Sequence, residues 1–189
     1  PDTVSDYSNE EMATLLATNQ YAVSNMWNMV SVPLNVINYA KTALYPTSAS
    51  EAFAFQGSYL MQETLKNGTG YWLKFTGNQN VSITGFVREL DIIEVDEGWN
   101  MIGSISSPVN AIQVTSNPPG LVTSQFFGYN NGYTETAIIE PGKAYWVKVS
   151  QSGVLNLSNS EALASDKIRI VATTELPPLP PALLHQAIP

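Results

Sequence analysis

The side chains best equipped for chemistry sit in two matching stretches, Gly70-Tyr71-Trp72-Leu73-Lys74-Phe75 and Ala144-Tyr145-Trp146-Val147-Lys148-Val149. In an extended chain neighbouring side chains point to opposite faces. Tyr71, Leu73 and Phe75 therefore share one face and Trp72 with Lys74 the other, as do Tyr145, Val147 and Val149 against Trp146 and Lys148. A tryptophan beside a lysine is one way to stack a flat sugar ring and hydrogen-bond its hydroxyls. The competing arrangement is packing, in which each indole covers the core or wedges between two units while the lysine stem lies along it and the ammonium reaches water. Tyr129 and Tyr133, like Tyr39, Tyr45 and Tyr59, fall in or beside loops, where exposed rings suit contact with glycan or protein. The candidate ligand-binding set is thus Trp72, Lys74, Trp146, Lys148, Tyr129 and Tyr133. Trp27 and Trp99, each followed by Asn at the head of a strand, are expected to be structural, with the Asn satisfying a turn or a neighbouring strand end.

Other chemistry is thinly supplied. The 189 residues include no cysteine, which removes disulfides, thiolate zinc and iron-sulfur sites and cysteine nucleophiles. The one histidine, His185, stands in a proline-rich tail, out of place for serine-histidine catalysis or a multi-histidine metal site. Acids gather once, at Asp91, Glu94, Asp96 and Glu97. Paired carboxylates can hydrolyse glycosides and oxygen ligands can hold calcium. The spacing fits no calcium loop, however, so the expectation is a solvated edge that discourages strand pairing. No phosphate loop or nucleophile elbow is present. The sequence therefore implies no catalytic residue, no metal and no cofactor, and a chain that is not an enzyme.

Charge narrows the partners. Eight basic against 16 acidic side chains give −8, and only 13% of residues are charged. Such a chain is not steered toward nucleic acid or an anionic membrane. No stretch approaches the roughly 20 apolar residues of a membrane-spanning helix. Pro1 in place of Met is what a processed chain or a fragment would show. In place of charge stand 18 Ser, 15 Thr and 16 Asn residues, together with 19 aromatics and many short turns, the composition of an all-β protein outside the cell.

The elements that position these residues come from a repeat. Trp27-Asn28-Met29-Val30 recurs as Trp99-Asn100-Met101-Ile102 at an offset of 72. The Tyr-Trp stretches recur at 74, and Phe53, Phe55 and Tyr59 meet Phe127, Tyr129 and Tyr133 at that same offset. A unit of about 70 residues occurring twice implies a duplicated fold with pseudo-twofold symmetry. The expected strands are 26–34 and 99–105, a hairpin of 126–129 with 133–136 around Asn130-Asn131-Gly132 and its first copy around Gln56-Gly57-Ser58, the Tyr-Trp strands, 81–86 with 154–157, and a closing strand in each unit at 91–95 and 167–172. About six short strands per unit give an all-β class of two tandem sandwich-like or barrel-like repeats. The expected divisions are an N-terminal extension over 1–24, repeats over 25–96 and 97–172, and a tail over 173–189.

The ends differ. Ser8-Asn9-Glu10-Glu11 fits a capping box, and Met12, Leu15 and Leu16 share a helical face, predicting a short helix over 10–18. The tail favours polyproline II and has no partner within itself. An ordered tail needs a surface on this domain or a neighbouring chain, so Leu176, Pro177, Pro178, Leu179, Pro180 and Pro181 are the candidate partner-binding residues.

The order Trp-Asn-Met-Val-Ser-Val-Pro-Leu at 27–34, an aromatic hairpin, then Gly-Thr-Gly-Tyr-Trp-Leu-Lys-Phe at 68–75 resembles the duplicated GWN…GKGYW-type β modules of large secreted and surface proteins of bacteria. Gly98-Trp99-Asn100-Met101-Ile102-Gly103 and Pro141-Gly142-Lys143-Ala144-Tyr145-Trp146 supply the second copy, and the likeness covers about 25–158. The proline-rich stretch is similar to the linker before the sorting domain of type IX secretion substrates. The resemblance implies a secreted or cell-surface location and a non-catalytic role. The expected function is an extracellular β module for attachment or assembly, its partners other protein chains, a homo-oligomer or a filament. The alternative is a carbohydrate-binding module whose partner is an extracellular glycan.

Overall fold

A computed structural model describes residues 16–159 and 173–181. The fold is all-β and sandwich-like, built of antiparallel sheets with no closed barrel. In chain order the first half holds β1 (Leu16–Val23), β2 (Met26–Val30), the single helical turn α1 (Lys41–Leu44), β3 (Ala52–Phe55), β4 (Tyr59–Gln62), β5 (Tyr71–Phe75) and β6 (Gln79–Phe86). The second holds β7 (Leu90–Val95), β8 (Gly98–Ile102), β9 (Val109–Asn110), a 3-10 turn at Ala111–Gln113, β10 (Thr115–Asn117), β11 (Phe126–Tyr129), β12 (Tyr133–Thr136), β13 (Ile138–Ile139), β14 (Tyr145–Val149) and β15 (Gly153–Ser158).

Two four-stranded sheets form the centre, ordered β2-β5-β3-β4 and β8-β14-β11-β12. Their registers correspond, with Trp27 opposite Lys74 and Phe53 opposite Trp72 in one, Trp99 opposite Lys148 and Phe127 opposite Trp146 in the other. Alternation gives each sheet two apolar faces. One face of the first packs Val30, Tyr71, Leu73 and Phe75 against Tyr21, Val23, Val81 and Ile83 of the β1–β6 pair. The second packs Ile102, Tyr145, Val147 and Val149 against Ile93, Val95, Leu155 and Leu157 of the β10-β15-β7 sheet. The remaining faces meet each other through Met29, Trp72, Met101, Phe127, Ala144 and Trp146.

The Trp-Asn motif has a local cause. Ser24 N–H donates to Asn28 Oδ1 at 2.8 Å, and Asn28 Nδ2 donates to the carbonyls of Ser24 and Met26 at 2.8 and 3.0 Å. Asn100 repeats these bonds with Asp96 and Gly98, at 3.0, 2.7 and 3.0 Å. The amide thus closes the turn between β1 and β2, or β7 and β8, where residues 26 and 98 need positive φ (73° and 95°). Gly98 meets that need freely, whereas Met26 adopts a conformation that is costly for a side chain with a Cβ.

Several expectations are corrected. Of the predicted helix over 10–18, residues 10–15 lie outside the described residues. Leu16, Ala17 and Thr18 belong to β1, because pairing in full register with β6 satisfies their backbone where a short isolated helix is marginal. Residues 16–24 are therefore part of the first sheet system, not an extension. Residues 91–95 do not close the first unit: β7 pairs with β15, so it stands to the second half as β1 stands to the first. The strands expected over 26–34 and 99–105 end at Val30 and Ile102, where each stretch leaves its own sheet to bridge Lys143 or Thr69 of the other half. The strand expected at 167–172 and His185 lie outside the described residues.

Candidate binding site

The central seam is built from backbone as well as rings. Ser31 N–H donates to Gly142 O at 3.0 Å, and Gly103 N–H to Gly68 O at 2.9 Å. Ala144 N–H donates to Met29 O at 3.2 Å, and Gly70 N–H to Met101 O at 2.9 Å. Ser31 Oγ and Ser104 Oγ, both buried, are hydrogen-bonded across the contact at 2.9 Å. A Cβ on Gly70 would fall 2.7 Å from the Ala144 Cβ, so only one of these facing positions can carry a methyl group.

Rings fill the rest in matched pairs. Phe55 meets Trp146 edge-on at 4.9 Å between centroids, and Tyr129 meets Trp72 at 4.8 Å. Trp27 lies 6.3 Å from Trp72 at 84°, and Trp99 lies 6.4 Å from Trp146 at 87°. Edge-to-face contact of this kind adds about 0.5 to 1.5 kcal/mol per pair beyond area burial. Trp72 and Trp146 are each 0% exposed, which corrects their candidacy as sugar platforms: a glycan cannot reach either ring. The face that looks polar in sequence is apolar in the fold because the other half covers it. Tyr129 is likewise engaged by Trp72, and Lys74 is half-buried, its Nζ without a hydrogen-bond or ion-pair partner among the described residues.

Tyr133 and Lys148 do meet a ligand-like segment, residues 173–181 of the same chain. Tyr59 donates to the Leu179 carbonyl at 2.5 Å, and Tyr133 donates to that of Pro178. One tyrosine comes from each half, so the segment is tied to both. Proline offers a carbonyl without a competing N–H, which suits donors of this kind. Upstream, the Glu175 carboxylate is held at both oxygens, by Trp99 Nε1–H at 3.0 Å and Lys148 Nζ at 2.6 Å. Lys148, then Trp99, hold this carboxyl below its usual range. Thr173 N–H donates to Gln125 Oε1 at 3.0 Å. Pro177 and Pro181 are buried and Pro178 and Pro180 half-buried, while Leu176 and Leu179, three apart, are 66% and 77% exposed. That spacing matches the three-residue turn of polyproline II, so the two leucines share one outward stripe.

Burial pushes the Tyr59 phenol up to about 12, with the neighbouring Trp72 indole N–H offsetting part of the rise, and Tyr133 is raised for the same reason. Both remain protonated donors far above neutral pH. Two clefts flank the seam. One, of about 340 Å³, lies between Trp27, Asn28 and Met29 and the facing Tyr129, Asn130 and Gly142. The other, of about 720 Å³, lies between Trp99, Asn100 and Met101 and the facing Phe55, Gln56 and Gly68, and Pro178 also lines it.

The acidic run is only partly solvated. Glu94, Asp96 and Glu97 are exposed, but Asp91 is buried, where Arg88 grips both of its oxygens. Burial pushes the Asp91 carboxyl up and Arg88 offsets part of that. Among the described residues no cluster of His, Asp or Glu could hold a metal ion, and no helix is long and apolar enough to cross a membrane. Trp99, expected to be structural, also donates its indole N–H to Glu175. The available signal was Glu175 itself, the one acid directly before the proline run; what it meets depends on tertiary placement. No known protein family, curated protein or solved structure matches the chain.

Proposed function

We propose that this chain is a non-catalytic extracellular β module, a duplicated unit of about 70 residues with pseudo-twofold symmetry, that attaches or assembles a secreted or cell-surface protein by seating an extended proline-rich segment on its central seam. The observation that carries this reading is the grip on residues 173–181: a carboxylate held by Trp99 and Lys148, and carbonyls held by one tyrosine from each half. The matched order and register of the central sheets support the duplication. The neutral, hydroxyl-rich composition and the resemblance to GWN…GKGYW modules support the location. A carbohydrate-binding role has lost its motive, because the two rings proposed to stack on sugar are enclosed.

The test loosens the segment without shortening the chain. In a Glu175→Gln, Pro178→Gly variant the Trp99 seat should take up an added peptide of residues 173–181, seen as a saturable shift of the Trp99 indole N–H resonance. Should the opened seat ignore the peptide, the seam is not a surface for extended segments and the attachment reading falls.

A further inference from the structure

The seam carries two sets of donors, and among the described residues only one has an acceptor. At the first, Trp99 and Lys148 face each other across the β8–β14 ladder and close on Glu175. At the corresponding place Trp27 and Lys74 face each other across β2–β5. The two indoles are set alike: Trp27 packs on Phe53 at 6.2 Å and 66°, and Trp99 packs on Phe127 at 5.9 Å and 65°. Their angles to the buried tryptophans, 84° and 87°, also agree. Both indoles are partly buried against the same aromatic cluster. Yet Trp27 Nε1 and Lys74 Nζ have no acceptor among the described residues, in a chain whose net charge is −8. None of residues 173–181 lines the cleft beside Trp27, whereas Pro178 lines the one beside Trp99.

We propose that Trp27 and Lys74 form a second carboxylate seat, the counterpart of the one holding Glu175, which anchors an acidic extended peptide segment supplied by another protein chain. The surroundings define that segment. Gln125, which accepts the N–H two residues before Glu175, corresponds to Glu51, whose carboxylate can accept the same N–H and whose charge is balanced by Lys41 at 3.7 Å. Glu135 corresponds to Met61, which with Leu60 leaves exposed apolar surface at the sheet edge, so apolar neighbours to the acid are favoured. The hydroxyls of Tyr59 and Tyr133 already serve the chain's own tail. The incoming segment is therefore held by its acid and the residues before it, with the prolines playing no part. One chain then holds its own segment at one seat and a neighbour's at the other, which gives the attachment reading, on which this inference rests, a second point of contact.

The experiment uses the full chain with its own seat filled. A peptide of residues 173–178, blocked at both ends so that its glutamate is the only carboxylate, is titrated in while the indole N–H resonances are followed, that of Trp27 being identified by Trp27→Phe. The expected result is a saturable shift of the Trp27 resonance with Trp99 unmoved. Replacing the peptide's glutamate by glutamine, or Lys74→Met in the protein, should weaken binding at least about tenfold, the scale of a lost charged hydrogen bond. A still Trp27 resonance, a shift of Trp99 alone, or equal binding of the glutamine peptide overturns the proposal. If Trp27 stays still while the Glu175→Gln, Pro178→Gly variant takes peptide at Trp99, the second seat is wrong and the attachment reading stands. If neither seat responds, both are wrong.

Discussion

The proposed twofold makes a sharp demand at the seam, where Gly70 faces Ala144. A methyl placed on Gly70 would lie 2.7 Å from the Ala144 Cβ and 2.6 Å from the Met101 Cγ, against an ordinary carbon contact of about 3.5 to 4.0 Å. Something must give by roughly 1 Å. Overpacking of this kind costs about 1 to 3 kcal/mol, so Gly70→Ala should destabilise by about 2 kcal/mol. Ala144→Gly deletes a buried methyl worth about 0.8 kcal/mol and adds backbone freedom to the unfolded chain, for a total near 1.5 kcal/mol. Independent sites would sum to about 3.5 kcal/mol in the double variant. If the positions are true counterparts, the double variant removes the Ala144 contact and leaves the flexible Met101 side chain and the Ile102 carbonyl to accommodate the moved methyl, so its loss should fall at least about 1 kcal/mol below that sum. Urea unfolding followed by tryptophan fluorescence measures all four corners of the cycle. A double variant whose loss equals the sum of the singles, within about 0.5 kcal/mol, would refute the symmetric account of the seam.

Two further outcomes are expected. Asn28→Ala and Asn100→Ala each remove three side-chain bonds from equivalent turns, so each should cost about 2 kcal/mol, and a difference between them above about 1 kcal/mol in urea titration would contradict their equivalence. Burial pushes the Tyr145 phenol, which accepts the Glu140 N–H, up to about 12 from an ordinary 10.0. The neutral form is the one the fold favours, so its contribution is whole below pH 10 and lost as pH climbs toward about 12, a share of about 2 kcal/mol by which Tyr145→Phe should reduce the alkaline fall in stability, while Tyr59 and the other buried phenols still contribute theirs.

How far the sequence carries can be judged residue by residue. The hairpin around Asn130-Asn131-Gly132 was legible because turn chemistry is local, and β11 and β12 flank it as expected, with Asn131 at φ 53°. The split of Tyr71, Leu73 and Phe75 from Trp72 and Lys74 was legible because alternation follows from strand geometry alone. Strand β1 was missed: its Leu, Thr, Gln and Tyr residues have little pattern of their own, and eight residues of pairing with β6 decide the matter. Residues 91–95 read as the closing strand of the first unit but pair with β15 of the second half, because periodicity identifies a strand without saying which strand lies beside it.

The amino-acid sequence by itself determined the all-β class, the recurrence of its motifs, the near absence of reactive side chains, and an acid leading a proline run. Those depend on composition, turn chemistry and a period of two, all properties of short stretches. Only the tertiary structure decided that Trp72 and Trp146 are enclosed by the opposite half, that Trp99 and Lys148 close on Glu175, and that Trp27 and Lys74 present the same donors with no acceptor among the described residues. The reason is that burial and hydrogen-bond pairing here join residues as much as 120 positions apart, as Tyr59 is from Leu179, and no local pattern encodes a contact at that range.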